Sequence, residues 1–212
     1  FCSIIFALMS KYKIFLLIVF VAALVWSGIN PPIGQSDWLL ENSPLFVSVI
    51  VLVAFAQYFK LSDFSYTLIV LYLMFPLVAS HYGVAGVPFG ETLGHWIGST
   101  RNMYDRLTHF LFGFLGFYPI QEFTMYINKK EGALNYYIPL GTLLAFSATY
   151  EIFEWAAAMT VNPILATSFL GSQGDVFDTQ KDMAVVVVGA LCAMVIVFLF
   201  QKYRKNTGLI SS

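Results

Sequence analysis

Six long apolar stretches alternate with short polar segments along the chain. Each stretch has about 17 to 25 residues, the length that a helix needs to cross the hydrocarbon of a bilayer. Backbone groups in lipid need partners within their own segment, and the ten-residue alternation typical of a membrane barrel is not seen. The pattern predicts an all-α, polytopic membrane bundle of about six transmembrane helices, near residues 13–30, 44–60, 64–81, 103–120, 134–158 and 182–201.

The composition favours the same class. Mean hydropathy is +0.75 and 11% of the 212 residues are charged, against about 25% in soluble domains. No repeat or linker divides the chain, so we expect residues 1–212 to form one integral membrane domain. Residues 1–8 precede Met9-Ser-Lys-Tyr-Lys, which is typical of a natural start with a basic anchor, so we regard residues 1–8 as a doubtful part of the native chain.

Basic residues concentrate on one side of the predicted bundle. Eight lie there, against Arg101, Arg106 and Lys181 on the other side. The positive-inside rule therefore predicts that both termini are cytoplasmic. The basic residues form short anchors and not a nucleic-acid face, which argues against nucleic acid as a partner. Nine of the twelve acidic residues lie at or beyond the opposite face.

Two long connections on that outer side are Gly-rich yet apolar, at residues 81–100 and 162–175. We expect them to lie on the outer membrane surface, with Trp96 and Phe169 as interfacial residues. His81 and His95 stand at the same edge, where an interfacial role is favoured over a place in a pocket.

Ionisable residues recur at helical spacing where three predicted helices meet the outer face. Three pairs stand one helical turn apart: Asp105 with His109, Glu151 with Glu154, and Asp178 with Asp182. Residues at i,i+3 or i,i+4 share a helix face. Successive helices alternate in direction, so all six groups fall at one depth. We therefore expect the carboxylates of the last two helices to converge near His109.

Small residues continue along the same faces, and such residues let transmembrane helices approach closely. They are Gly113 and Gly116, Ser147 and Ala148, and Gly189 and Ala193. The sequence thus predicts three closely packed helices with a polar pocket that opens outward.

Simpler interpretations exist for some of these residues. Asp105 and Asp182 each suit a capping box, begun by Asn102 and Thr179 respectively. A single His109 on an apolar helix is more often a packing residue than a ligand. No such simple interpretation fits Glu151 and Glu154. They lie at the C-terminal end of a helix, where the helix dipole disfavours anions, and acidic residues within a membrane need partners.

The motifs YDRLTHFLFGF, ExxEW and GDVFDTQKDM resemble those of the YjdF-like family of bacterial inner-membrane proteins. The resemblance covers nearly the whole chain and implies an inner-membrane location, but no reaction. A fainter resemblance connects Asp105-Arg106-x-x-His109, Glu151-x-x-Glu154 and Asp182 through Gly189 to VanZ-like proteins. Glu154 stands where that family has Gln, and Val186 where it has Asn, which makes this site more acidic.

Three functional hypotheses follow. The first is an enzyme that acts on a lipid or lipid-linked envelope precursor, with Arg101 and Arg106 binding a substrate phosphate. Its acid–base residues would be Asp105, His109, Glu151 and Glu154, and its divalent metal ion would be held by His109, Glu151, Glu154, Asp178 and Asp182. The second is a non-catalytic protein that binds membrane lipids or a partner, and the third is a proton-coupled transporter.

Overall fold

The computed structural model describes residues 10–55, 61–129, 132–161, 166 and 169–207. Within these ranges the chain forms seven α-helices and one 3-10 turn (Val84–Gly86), without a strand. The helices are α1 (Lys11–Ser27), α2 (Gln35–Phe55), α3 (Asp63–Tyr82), α4 (Pro88–Trp96), α5 (Tyr104–Asn128), α6 (Leu134–Ala158) and α7 (Asp178–Asn206).

The six long helices correspond to the six predicted ones, which confirms the all-α class. By length and composition, α3 and α7 are apolar enough to cross a membrane, and the count of six spans stays a prediction. Helix α2 begins at Gln35 and not near residue 44, because the helix continues through Pro44 into a polar first turn that contains Asp37. The expectation about residues 1–8 and the predicted end of this helix at residues 56–60 lie outside the described residues.

Helix α5 also exceeds its prediction, ending at Asn128 instead of near residue 120. The extra turns are polar, and they find partners: Glu122 Oε2 accepts hydrogen bonds from the backbone N–H and hydroxyl of Ser62, each at 3.0 Å. An apolar window alone cannot reveal helix that continues beyond the hydrocarbon in this way.

The connection at residues 81–100, predicted as a loop on the membrane surface, contains α4. Pro88 stands in the first turn of this helix, where its missing N–H costs nothing. Trp96 is exposed, in keeping with the predicted interfacial role. The prediction for Phe169 is wrong, because its side chain is buried. His81 is half-buried in the last turn of α3, stacks on Trp26, and has its Nδ1 3.0 Å from the Ser27 carbonyl oxygen.

Helix α5 is the centre of the bundle and packs against α3, α6 and α7. Its closest approach is to α7, where two glycines face each other's backbone. A methyl group at Gly113 would overlap the Val186 carbonyl oxygen, and one at Gly189 would overlap the Phe110 carbonyl oxygen. The prediction of close packing through small residues is confirmed at this crossing.

Contacts between the helices define two ends of the bundle. Ser62 and Glu122 bring the start of α3 and the last turns of α5 together at one end, called here the Glu122 end. Lys13 Nζ, 3.9 Å from Asp63 Oδ1, adds the start of α1. The opposite end, the Asp178 end, holds the starts of α5 and α7 and the last turns of α6.

Candidate functional site

Arg106 is the buried cation at the Asp178 end. Asp178 and Asp182 stand one turn apart on α7, so both carboxylates face the first turns of α5. Arg106 Nη2 lies 2.6 Å from Asp178 Oδ1 and 3.4 Å from Asp175 Oδ2, and Arg106 Nη1 forms an ion pair with Asp182. Arg106 therefore has the role of counter-charge to the start of α7, and its predicted contact with a substrate stays a prediction.

Arg101 shares one of these acids. Its Nη2 lies 2.6 Å from Asp178 Oδ1 and 3.4 Å from Asp105 Oδ2. The same guanidinium donates to the carbonyl oxygens of Ser172 (2.5 Å) and Gly171 (3.3 Å). Asp178 is thus bound by two arginines, which tie α7 and the segment before it to α5.

His109 lies between carboxylates from two helices. Its Nε2 is 3.5 Å from Asp105 Oδ1 and 3.7 Å from Glu151 Oε1. Both distances exceed the usual range of about 2.7–3.2 Å for a hydrogen bond. The predicted convergence of α6 and α7 carboxylates near His109 is confirmed, since Asp182 also has a ligand atom within 4.8 Å of those of His109 and Asp105.

These atoms have the chemistry and spacing of a cation site. In a tetrahedral site with bonds of about 2.0–2.1 Å, neighbouring ligand atoms lie about 3.3 Å apart. Asp105 Oδ1 lies 3.5 Å from His109 Nε2, and the ligand atoms of Asp105, His109 and Asp182 all lie within 4.8 Å of one another, a wider spacing than that of a bound tetrahedral site. Arg106 engages Oδ1 of Asp182, which leaves the second oxygen of that carboxylate for a cation. Asp105, His109 and Asp182 could therefore hold a metal ion.

The two glutamates of α6 differ in their surroundings. Glu151 is buried, and its Oε1 accepts no hydrogen bond from the described part of the chain. Glu154 is half-buried and lies one helical turn from Tyr150, on the same face of α6. The Tyr150 ring meets the His109 ring edge to face, with centroids 6.1 Å apart. Glu151 thus carries a buried oxygen without a hydrogen-bond donor in the described part of the chain.

The site has more acids than cations. We call it the acid–arginine cluster; its carboxylates face two guanidinium groups, and its members are Asp105, Glu151, Glu154, Asp178, Asp182, Arg101, Arg106 and His109. Buried charge without compensation is costly. Either protons or a bound cation must offset the surplus negative charge of this cluster.

The capping interpretations are wrong for both aspartates. The backbone N–H of Asn102 donates to Gln173 Oε1 at 2.8 Å and not to Asp105, as a capping box would require. Helix α7 begins at Asp178, which places Thr179 inside the helix and not at its cap. The metal set predicted from sequence stays a prediction. Among the described residues the three donors that lie close together are Asp105, His109 and Asp182, whereas Asp178 is bound by arginines.

The sequence analysis did not identify Gln173 and Asp175 as residues that contact the site. Gln173 and Asn102 form reciprocal side chain to backbone hydrogen bonds across 71 positions, with Gln173 Nε2 3.1 Å from the Asn102 carbonyl oxygen. Asp175 is the other addition. Hydrogen bonds from Lys181 Nζ (2.7 Å) and from the Phe177 N–H lower the pKa of Asp175. The only sequence feature that pointed to Gln173 and Asp175 was the polar character of the segment at residues 171–177.

Comparison with known proteins gives the chain a family. Residues 12–203 match the family described as "Predicted membrane protein (DUF2238)". The chain is 34% identical to Inner membrane protein YjdF of Escherichia coli (strain K12) over 192 residues, which cover 89% of this chain and 90% of that protein. No solved structure matches. The match extends through every helix of the acid–arginine cluster, and the chain belongs to this YjdF-like, DUF2238 family of membrane proteins.

Proposed function

We propose that this protein is a multi-pass inner-membrane enzyme that uses a divalent cation to act on a lipid or lipid-linked envelope precursor. One observation carries the proposal: ligand atoms of Asp105, His109 and Asp182 lie within 4.8 Å of one another. Beside them is a buried Glu151 oxygen without a hydrogen bond among the described residues.

The donor set indicates the kind of cation. Two carboxylates and one imidazole suit Zn²⁺, Mn²⁺ or Fe²⁺ better than Ca²⁺, which takes six to eight oxygen ligands. The surplus of carboxylates also favours a bound cation. Such a cation would lower the cost of burying several negative charges together. Asp178 contributes indirectly by holding Arg101 and Arg106 against the start of α7.

The chain's own residues divide the chemistry between them. A cation bound here would polarise a phosphoryl or acyl oxygen. Glu151 would accept a proton from an attacking water, because its Oε1 has no hydrogen-bond donor among the described residues and lies 3.7 Å from His109 Nε2. As the bond to the leaving oxygen breaks, Glu151 would return that proton to it. Tyr150 would keep the His109 ring in place from the α6 side through its edge-to-face contact, and Glu154 stands one turn further along the same face of α6.

The position of the site favours a membrane substrate. The acid–arginine cluster occupies the ends of three helices, at the depth where lipid headgroups meet a bundle. We place this end in the periplasm and both termini in the cytoplasm, because eight of the eleven basic residues fall on the Glu122 side of the sequence pattern. Reporter fusions after Asn128 and after Trp96 would test the orientation. A cytoplasmic signal from Trp96 would reverse it.

The first test is elemental analysis of the purified protein, without exposure to chelators. Wild type should hold about one equivalent of a transition metal. His109→Ala should lose it because a ligand is removed, and Glu151→Gln should weaken metal binding because it removes a carboxylate 3.7 Å from His109 Nε2; both variants should remain folded. Glu122→Gln is the matched control, since that carboxylate lies at the opposite end and is hydrogen-bonded by serines. Metal that persists in both cluster variants would contradict the proposal.

A non-catalytic role is the second candidate, and a specific observation favours it. Arg101 and Arg106 both bridge α5 to α7 through Asp178, as expected of ion pairs whose task is to hold helices together. On this hypothesis, substitutions in the cluster lower stability and biological effect together. A Glu151→Gln variant with full thermal stability and lost activity would exclude it.

A further inference from the structure

The buried face of α6 carries two polar side chains one helical turn apart. Ser147 is 2% exposed and Glu151 is 7% exposed. Neither Ser147 Oγ nor Glu151 Oε1 has a hydrogen-bond partner among the described residues, so these two atoms are not bonded to each other. Buried polar atoms are nearly always hydrogen-bonded in folded proteins, to the chain or to an ordered water. The pair is therefore a candidate site for a small polar molecule.

Contacts between α5 and α6 place Ser147 in the interface of these helices. Glu151 Oε1 lies 3.7 Å from His109 Nε2. Two turns earlier on α6, the Leu143 side chain would lie 2.9 Å from a methyl group added at Gly116 of α5. Ser147 stands midway between these two contacts and on the same face of α6. It therefore lies directly inward of the cation site, toward the middle of the bundle.

The geometry of a helix directs Glu151 toward Ser147. Side chains in an α-helix lean toward its N-terminus and cover the preceding turn. The Cβ atoms of residues four apart are about 5–6 Å from each other. One water with two hydrogen bonds of about 2.8 Å spans a gap of that size. Ser147 and Glu151 thus supply two of the roughly two to four polar partners that a buried water needs.

An apolar layer closes this site on its inner side. Phe117 of α5, Leu143 of α6 and Val186 of α7 belong to one core cluster, and each of them is 0% exposed. Leu143 stands one turn from Ser147, and none of the three side chains can form a hydrogen bond. A water at Ser147 is therefore bounded by apolar side chains toward the Glu122 end and meets polar groups only on the side of the cation site.

We infer that Ser147 and Glu151 hold the water that attacks the substrate, so that the proposed reaction is a hydrolysis. The water oxygen forms the new bond to phosphorus or to the acyl carbon, and one water proton passes to Glu151. Glu151 gives this proton to the leaving oxygen as its bond breaks, while the other water proton stays on the product. The inference rests on the proposed function, to which it adds water as the second substrate and Ser147 as a positioning residue.

The first test is a crystal structure of the full chain, as wild type and as Ser147→Ala. Wild type should show an ordered water within hydrogen-bond distance of Ser147 Oγ and Glu151 Oε1, and Ser147→Ala should lose it. Ser80→Ala is the matched control, because Ser80 is also buried but donates its hydroxyl to the Leu77 carbonyl oxygen. This control should keep the water. Metal-loaded wild type without a water at Ser147 would overturn the inference alone, whereas wild type that binds no metal would contradict the proposed function.

The second test measures transfer of oxygen from labelled water. Bacterial envelope lipids would be incubated with each variant in water that carries heavy oxygen, and the products would be weighed by mass spectrometry. Ser147→Ala should slow incorporation of the label about tenfold, the effect of losing one hydrogen bond, with metal content unchanged. Ser147→Cys should be equally slow, because a thiol fills similar space but is a weak hydrogen-bond partner. Wild-type products without the label, or normal incorporation in either variant, would overturn the inference.

Discussion

The two ends of the bundle handle buried polar groups in different ways. At the Glu122 end a single carboxylate oxygen accepts from the Ser62 N–H and hydroxyl at 3.0 Å and from the Ser65 hydroxyl at 2.5 Å. At the Asp178 end several carboxylates share two arginines, and Glu151 Oε1 accepts no hydrogen bond from the described residues.

The difference shows what a polar group needs in order to be purely structural. Hydroxyl and backbone donors complete the partners of Glu122 from within the fold. Acids that face other acids cannot complete one another, so the Asp178 end depends on protons or on something bound. An incompletely satisfied cluster in an otherwise consistent fold is the expected mark of a functional site.

The largest effect should come from separating α5 and α7 between the two ends. Gly113→Val would drive a side chain into the Val186 carbonyl, and we expect it to abolish folded, monodisperse protein in size-exclusion chromatography. Gly141→Val is the matched control, because a Cβ there meets nothing within 4 Å. Normal folding of Gly113→Val would show that the close crossing does not support either end.

Replacing Arg106, the buried arginine of the Asp178 end, should have the next largest effect. Arg106→Met leaves Asp178 and Asp182 without that partner, and it should lower the free energy of unfolding by about 3–5 kcal/mol. Arg106→Lys should recover part of the loss, since it keeps the charge but not the planar fork. Thermal unfolding in detergent measures both. A loss as small as that of an exposed ion pair would mean that protons already neutralise the aspartates.

The comparison is sharpest between two glutamate to glutamine changes. Glu122→Gln should cost about 1–3 kcal/mol of stability, because charge-assisted hydrogen bonds from Ser62 and Ser65 weaken, and it should leave metal content unchanged. Glu151→Gln should lower the metal content with little change in stability, because it removes a carboxylate that lies 3.7 Å from His109 Nε2. Unfolding curves and elemental analysis on the same preparations would test both, and the opposite pattern would refute the contrast between the ends.

The smallest effect should come from the rim at Asp175. Its pKa is lowered in the folded state, so its stabilising contribution is present at neutral pH and is lost as pH falls below the ordinary value of 3.8 toward the folded pKa. Asp175→Asn should therefore unfold slightly earlier than wild type at pH 7, and the difference should be smaller at pH 3. A constant difference across that range would mean that the charge of Asp175 is irrelevant.

The sequence by itself predicted the long helices and the acids and histidine of the candidate site. A bilayer of set thickness and the helical repeat are local constraints, so apolar length predicted six long helices, and i,i+4 spacing predicted that Asp105 and His109 share a face. Alternating direction then predicted the common depth of Glu151, Glu154, Asp178 and Asp182. The ends of α2 and α5 escaped prediction, because their polar turns have no apolar signal.

Only the tertiary structure decided which acids are paired and which are left for a ligand. That choice depends on how far each helix is rotated and shifted, which the Gly113–Gly189 crossing sets across 76 positions of the chain. In the folded bundle, Asp178 pairs with two arginines and Gln173 lies against Asn102. Glu151 Oε1 has no hydrogen-bond donor in the described residues. Such pairings depend on interhelical geometry, for which spacing within one helix carries no information.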